Sequence, residues 1–165
     1  PRSKSIQTTP AHQLALAAVY YSPLQYMYWY DKPSDSQDEP ELKFFDDVYT
    51  TWDDTKVLQG EVGEFITIAR RKGEEWFIGS ITNNEKRVLS VSLDFLPEGK
   101  NYIAEIYTEG DKSVKTRTKV RVSTYRVSNK TKLNFCLKAS GGGAVRLVPD
   151  DGNIKSVKNY KQQRL

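Results

Sequence analysis

The chain has 165 residues, a net charge of +4, one cysteine and one histidine. That length carries one domain with its own core, or a small domain with an appendage. The lone Cys136 excludes an internal disulfide and a zinc site built from several cysteines, and no apolar run approaches the roughly 20 residues of a membrane helix.

Thr9 is placed to cap a first helix, with Pro10 in its first turn and Leu14, Leu16, Ala17, Ala18 and Val19 as its body. The body is apolar nearly all round, which predicts a buried helix. Ser22-Pro23 ends it. Residues 24–30, LQYMYWY, read as a short aromatic strand bounded by prolines. Pro33-Ser34-Asp35-Ser36 is turn chemistry. Residues 39–48 read as a short helix anchored by Leu42, Phe44, Phe45 and Val48, and residues 49–60 as irregular chain.

After Gly60 strand-like runs recur at 64–70, 76–82, 88–95, 102–108, 118–127, 133–139 and 144–148, with turn residues between them. The alternation is clean where Leu89, Val91, Leu93 and Phe95 face one way and Ser90, Ser92 and Asp94 the other. Short, evenly spaced strands predict an antiparallel sandwich or barrel. Ser140-Gly141-Gly142-Gly143 is a permissive turn; it lacks the lysine and following helix of a phosphate loop. Cys136 sits on an alternating strand and reads as structural. Residues 150–165 are polar and basic, and are expected to be disordered or loosely attached. The chain thus divides into a helix–strand–helix piece over 1–60, too small to fold alone, a complete β domain over 61–149, and a tail. The fold class is mixed and mainly β.

Three stretches carry a family pattern: TTPAHQLALAAVYYSPLQYMYWYD, EPELKFFDDVYTTWDDTKVLQGEVGEFITIARRKGEEWFIGSIT and LNFCLKASGGGAVRLV. Together, over roughly residues 6–148, they resemble the C-terminal region of glycoside hydrolase family 97, a family of α-glucosidases and α-galactosidases. The resemblance implies that residues 1–60 end a catalytic (β/α)8 barrel and that residues 61–149 form the C-terminal antiparallel β-sandwich. It implies a parent enzyme that hydrolyses α-linked glucosides or galactosides, uses calcium, packs this chain against its own upstream barrel, and resides in the periplasm or at the cell surface of a bacterium. The catalytic carboxylates and calcium ligands of the family lie upstream of the match, so no catalytic or metal residue is assigned to this chain. Residues 24–30 become the final barrel strand, and Trp29 and Asp31 fall near the active-site rim. An aromatic face stacks on a sugar and a carboxylate accepts its hydroxyls, which makes Trp29 and Asp31 the candidate substrate contacts.

The acidic pairs Asp46-Asp47 and Asp53-Asp54 do not suit catalysis, because neighbouring side chains diverge on a strand or a helix. Asp53-Asp54 is expected to pin the segment that joins the two parts. The alternative function is a stand-alone carbohydrate-binding sandwich, which requires Trp76, Tyr102 or Tyr107 at the surface. A basic stripe through Lys115, Arg117, Lys119, Arg121 and Arg126 raises nucleic acid, but no recognition motif accompanies it and a solvated sheet face explains it. Neither nucleic acid nor membrane insertion is expected. Exposure of the apolar face of residues 12–20 is expected to make the isolated chain adhesive.

Overall fold

In the computed structural model the described residues are 6–26, 29, 35, 39–154 and 156–161. Helix α1 spans Pro10–Val19; a 3-10 turn, Pro40–Leu42, runs into the short helix α2, Lys43–Asp47. Eight strands follow: β1 Asp54–Glu61, β2 Phe65–Lys72, β3 Glu75–Thr82, β4 Arg87–Ser92, β5 Asn101–Glu109, β6 Val120–Ser128, β7 Lys132–Leu137 and β8 Gly142–Pro149. Six of them form one sheet in the order β1-β2-β3-β8-β5-β6, and β4 pairs with β7 in a second. Every pairing between these strands is antiparallel. The expected β-sandwich preceded by a helical piece is therefore present.

The large sheet is covered on both faces. Its inner face sets Trp76, Ile78, Tyr102, Ala104, Val145 and Leu147 against Leu89, Val91, Leu133 and Phe135 of the small sheet. Its outer face sets Phe77, Tyr107, Val120 and Ala144 against Ala11, Leu14, Ala17 and Ala18 of α1 and Phe44 of α2. The Phe44 ring meets Tyr107 at 5.2 Å and Phe77 at 5.9 Å. Two-sided cover explains why β3 and β8 are buried at almost every position, while β4 and β7 alternate between buried and exposed. Small residues seat the helix. A Cβ at Gly142 would lie 2.6 Å from His12 Cα, and one at Gly79 would collide with the Ala15 carbonyl and press on Val19 and Ala18.

Four expectations change. Residues 54–60 are not irregular but belong to β1, so the boundary expected at 60/61 falls inside a strand. A β-bulge between Val57 and Gln59 breaks the alternation that would have revealed it. Residues 24–26 are not in a strand. Among the described residues no strand pairs with them, and their polar groups turn locally: Leu24 N–H donates to Ser22 Oγ at 3.2 Å, and Gln25 Nε2 to Ser22 O at 3.0 Å. The rest of that expected strand lies outside the described residues, apart from Trp29. Of residues 12–20, Leu14, Ala15, Ala17 and Ala18 are covered by the sheet, and Tyr20 at the end of the range is exposed, so the helix body is not the adhesive surface.

The tail is the fourth. Arg126 N–H donates to Lys158 O at 2.9 Å, and Tyr160 N–H returns to Arg126 O at 2.9 Å. The Tyr160 hydroxyl accepts from Asn134 N–H at 3.1 Å. Unpaired backbone groups at the edges of β6 and β7 hold this segment, and the side chain of Arg126 adds Asp150 and Ile154 O as partners. One aromatic anchor and one arginine thus hold residues 158–160 against the sheet edges.

Gly79→Val is expected to lift α1 off the sheet and to lower the unfolding free energy by roughly 1–3 kcal/mol, the usual cost of overpacking. Urea denaturation followed by tryptophan fluorescence checks it. An unchanged midpoint would mean that α1 does not rest on β3.

Candidate functional site

The polar chemistry of the chain concentrates where the helical segment meets the sheet. At the start of α1, Thr9 Oγ1 accepts from His12 N–H at 3.2 Å and donates to Glu109 Oε1 at 2.9 Å. Glu109, at the end of β5, also accepts from Gly142 N–H and Lys138 N–H, each at 3.2 Å. Its side chain is almost wholly buried, with Lys138 Nζ at 3.8 Å. The His12 ring donates from Nδ1 to Gly141 O at 3.0 Å, a direction fixed because a carbonyl only accepts. Burial holds the His12 imidazole below its ordinary pKa, against the opposing pull of the Gly141 and Ser140 carbonyls.

At the other end of α1, Arg70 reaches up from β2. Its Nε donates to Ala18 O at 2.6 Å, one terminal nitrogen to Val19 O at 3.1 Å and the other to Thr55 Oγ1 at 3.2 Å. The rings of Tyr21 and Trp52 lie 5.6 and 6.0 Å from the guanidinium. A carboxylate at the N-terminus and a cation at the C-terminus both oppose the helix dipole. Sequence reasoning missed this pair. For Arg70 a signal was present: period-2 spacing puts it on the face of Ile66 and Ile68, and a cation in line with two isoleucines needs a buried partner. For Glu109 the local sequence carries none.

Two of the carboxylates considered from sequence, Asp47 and Asp53, form joints too. Asp47 pairs with Lys43 and with Arg146, the latter at 2.8 Å. Arg146 also meets Glu75 at 2.9 Å and Glu105 at 3.6 Å, which ties α2 to β3, β8 and β5. Burial, with Glu105 and Asp47 nearby, pushes the Tyr107 phenol up. Asp53 accepts from Gly73 N–H at 2.8 Å and pairs with Lys72 at 3.2 Å, so it pins the connecting segment to the β2–β3 turn. Within the basic stripe Arg121 pairs with the Asp111 carboxylate and Arg126 with that of Asp150, while Arg117 donates to Asp35 O and Lys119 to Val114 O.

Of the two candidate substrate contacts, Trp29 is half-buried and stands edge-on to Phe45, with ring centroids 5.2 Å apart. Asp31 lies outside the described residues. The rings that the carbohydrate-module alternative needs at the surface are buried: Trp76 is 4%, Tyr102 2% and Tyr107 1% exposed. They fill the cores on the two faces of the large sheet, so that route to glycan binding is closed. Among the described residues no three His, Cys, Asp or Glu side chains converge as a metal site. No described helix is long and apolar enough to cross a membrane. A large apolar surface does follow α1: Tyr21 is 84%, Leu24 75% and Tyr26 85% exposed.

The fold is a β-sandwich joined by polar clusters to a short helical piece, with exposed apolar side chains beside that joint. The family described as "Glycosyl-hydrolase 97 C-terminal, oligomerisation" matches residues 51–148, and the chain belongs to it. It is 34% identical over 142 residues to a retaining alpha-galactosidase of Bacteroides thetaiotaomicron, covering 86% of this chain and 21% of that protein. A family 97 enzyme from Pseudoalteromonas sp. strain K8, solved with acarbose, matches at 37% identity and a TM-score of 0.77, over 87% of this chain and 23% of that one. A beta-arabinopyranosidase shares the fold at 24% identity and a TM-score of 0.67, covering 85% of this chain and 21% of that one. The chain thus spans about a fifth to a quarter of these relatives.

His12 gives this joint a pH dependence. A group whose folded pKa is depressed loses stability as pH falls below its unfolded value, here 6.5, towards the folded one. His12→Asn keeps a donor for Gly141 O and removes the titration. The expected result is a wild-type urea midpoint that falls between pH 7 and 5 more steeply than that of the variant. Parallel curves would show that the ring does not titrate differently on folding.

Proposed function

We propose that this chain is the C-terminal part of an α-glycosidase and supports its catalytic barrel rather than cleaving the bond itself. The observation that carries this is the family match over residues 51–148, joined to the small share of each glycoside hydrolase relative that the chain covers. The parent's substrates on this reading are α-linked galactosides or glucosides: one relative is named an alpha-galactosidase and another was solved with acarbose. Retaining hydrolysis needs two carboxyl groups about 5–5.5 Å apart, one as nucleophile and one as acid and base. The described carboxylates Asp47, Asp53, Glu75, Glu105 and Glu109 are committed to joints. We therefore assign the catalytic pair, and any calcium, to the upstream barrel. The exposed segment Tyr20–Tyr26 is where that barrel packs, and Trp29 with Asp31 supplies its rim contact to sugar.

The native gene product should have about fourfold to fivefold the 18.9 kDa of this chain, the inverse of the 23% and 21% shares. It should cleave nitrophenyl α-galactoside or α-glucoside, whereas the 165-residue chain should release no nitrophenol. Turnover by this chain that disappears when one of its own carboxylates is mutated would reject the assignment.

A second role, association between copies, is favoured by the tip of the β1–β2 hairpin. Val62 is fully exposed there, and Val57 stands out from the edge strand. Beside them lies an apolar groove of about 540 Å³ walled by Phe65, Ile66 and Ile81. A knob next to a hole is self-complementary about a two-fold axis. Val62→Asp is expected to shift the light-scattering mass of the native gene product from dimer to monomer. A mass unaffected by the substitution would remove this hairpin from the interface.

A further inference from the structure

The two sheets differ in width, so the sandwich is open along the side where β6 and β7 face each other. The tail crosses that opening without filling it. A groove of about 730 Å³ remains, within the roughly 300–1,000 Å³ typical of small-molecule sites. Its floor is apolar, made by Ile106, Leu133 and Phe135. Two of its walls are aromatic. Tyr125 of β6 and Tyr160 of the tail stand at 87° with ring centroids 5.4 Å apart, which makes a corner of two rings.

The corner is built in advance. Tyr160 is held by its backbone N–H on Arg126 O at 2.9 Å and by its hydroxyl, which accepts from Asn134 N–H at 3.1 Å. That hydroxyl keeps its own proton for a ligand. A ring fixed at both ends loses little conformational entropy when something stacks on it. Ser123, Thr108 and the Asn134 amide add hydroxyl and amide chemistry around the same space. Aromatic walls with hydroxyl and amide groups suit a pyranose, which has apolar C–H faces and an equator of hydroxyls.

Charge narrows the class. The groove is lined by Arg126, Lys158 and Lys161 and by no carboxylate. Arg126 is already paired with Asp150. Lys158 and Lys161 have no ion-pair partner among the described residues. Two uncommitted ammonium groups at the rim of an aromatic corner complement a sugar that carries negative charge.

We propose that the groove between β6, β7 and the tail binds an anionic saccharide. One ring packs in the Tyr125–Tyr160 corner, its hydroxyls meet Ser123 and Asn134, and its carboxylate or sulfate group lies against Lys158 and Lys161. This does not rest on the α-glycosidase reading, since every group named belongs to the described residues.

Titration calorimetry of the 165-residue chain tests it with three probes: trigalacturonic acid, a sulfated galactose trisaccharide and maltotriose. The two anionic probes should bind and maltotriose should bind at least about tenfold more weakly, as expected from losing two exposed charge contacts. Tightness of the carboxylated probe over the sulfated one, or the reverse, tells which anion the rim prefers. The double variant Lys158→Gln/Lys161→Gln should weaken the anionic probes roughly tenfold while the thermal midpoint stays in place. Tyr125→Leu should weaken all binding by about tenfold or more through loss of stacking. No binding of either anionic probe at millimolar concentration, equal binding of maltotriose, or affinities untouched by both variants would each overturn the proposal.

Discussion

The structure depends on how α1 is held at both ends by groups from the sheet beneath it. Glu109 receives Thr9 and the turn into β8 at the helix N-terminus; Arg70 receives the last carbonyls at its C-terminus. Each is a buried charge, and each is costly to bury unless satisfied. The free N–H groups and carbonyls of a helix end supply that satisfaction, with the dipole adding to it. The helix lacks a single narrow apolar stripe, so hydrophobic contact alone specifies its rotation poorly. The two charged clamps set its axis, and the glycines beneath set its depth.

From that contact the layering follows. Once α1 and α2 cover the outer face, β3 and β8 must be apolar on both sides, and the small sheet closes only part of the inner face. The residues before β1 are then not an appendage to a finished sandwich. They complete one of its two cores. A mainly β domain of this size gains from a second apolar layer, because the share of surface that a small domain buries is limited. The Arg146 network extends the same logic to α2, with its guanidinium reaching carboxylates from α2, β3 and β5.

The other side of the molecule uses backbone rather than charge. β6 and β7 end their sheets with unpaired groups, and such edges invite another strand. Arg126 and Asn134 spend theirs on residues 158–160. The strap blunts both edges at once and leaves a groove beneath it. Stability and a ligand-sized cavity thus come from one arrangement, in which the chain bridges an opening that its narrow second sheet cannot cover.

Much of this was legible from the order of residues. The Thr9-Pro10 helix start, the seven later strand regions and the mainly antiparallel class all follow from local rules: capping, period-2 alternation and turn residues at short intervals. The family pattern was legible in the same way, because its stretches are contiguous. What local rules could not reach was decided by partners distant in the chain. Residues 24–26 have strand composition, yet a strand requires a neighbour, and Ser22 and Gln25 turn the backbone aside. β1 has a bulge that scrambles its alternation, and only pairing with β2 defines it. Tyr160 looks like a lone ring in a polar tail until β6 and β7 offer their edges. Alternation already sets Tyr102 on the face of Ala104 and Ile106, and the layers on either side of the sheet decide for core at Trp76 and Tyr107 too. Sequence determines the elements because capping and alternation act within a few residues; tertiary structure decides burial and charge pairing because those energies belong to groups as far apart as Thr9 and Glu109.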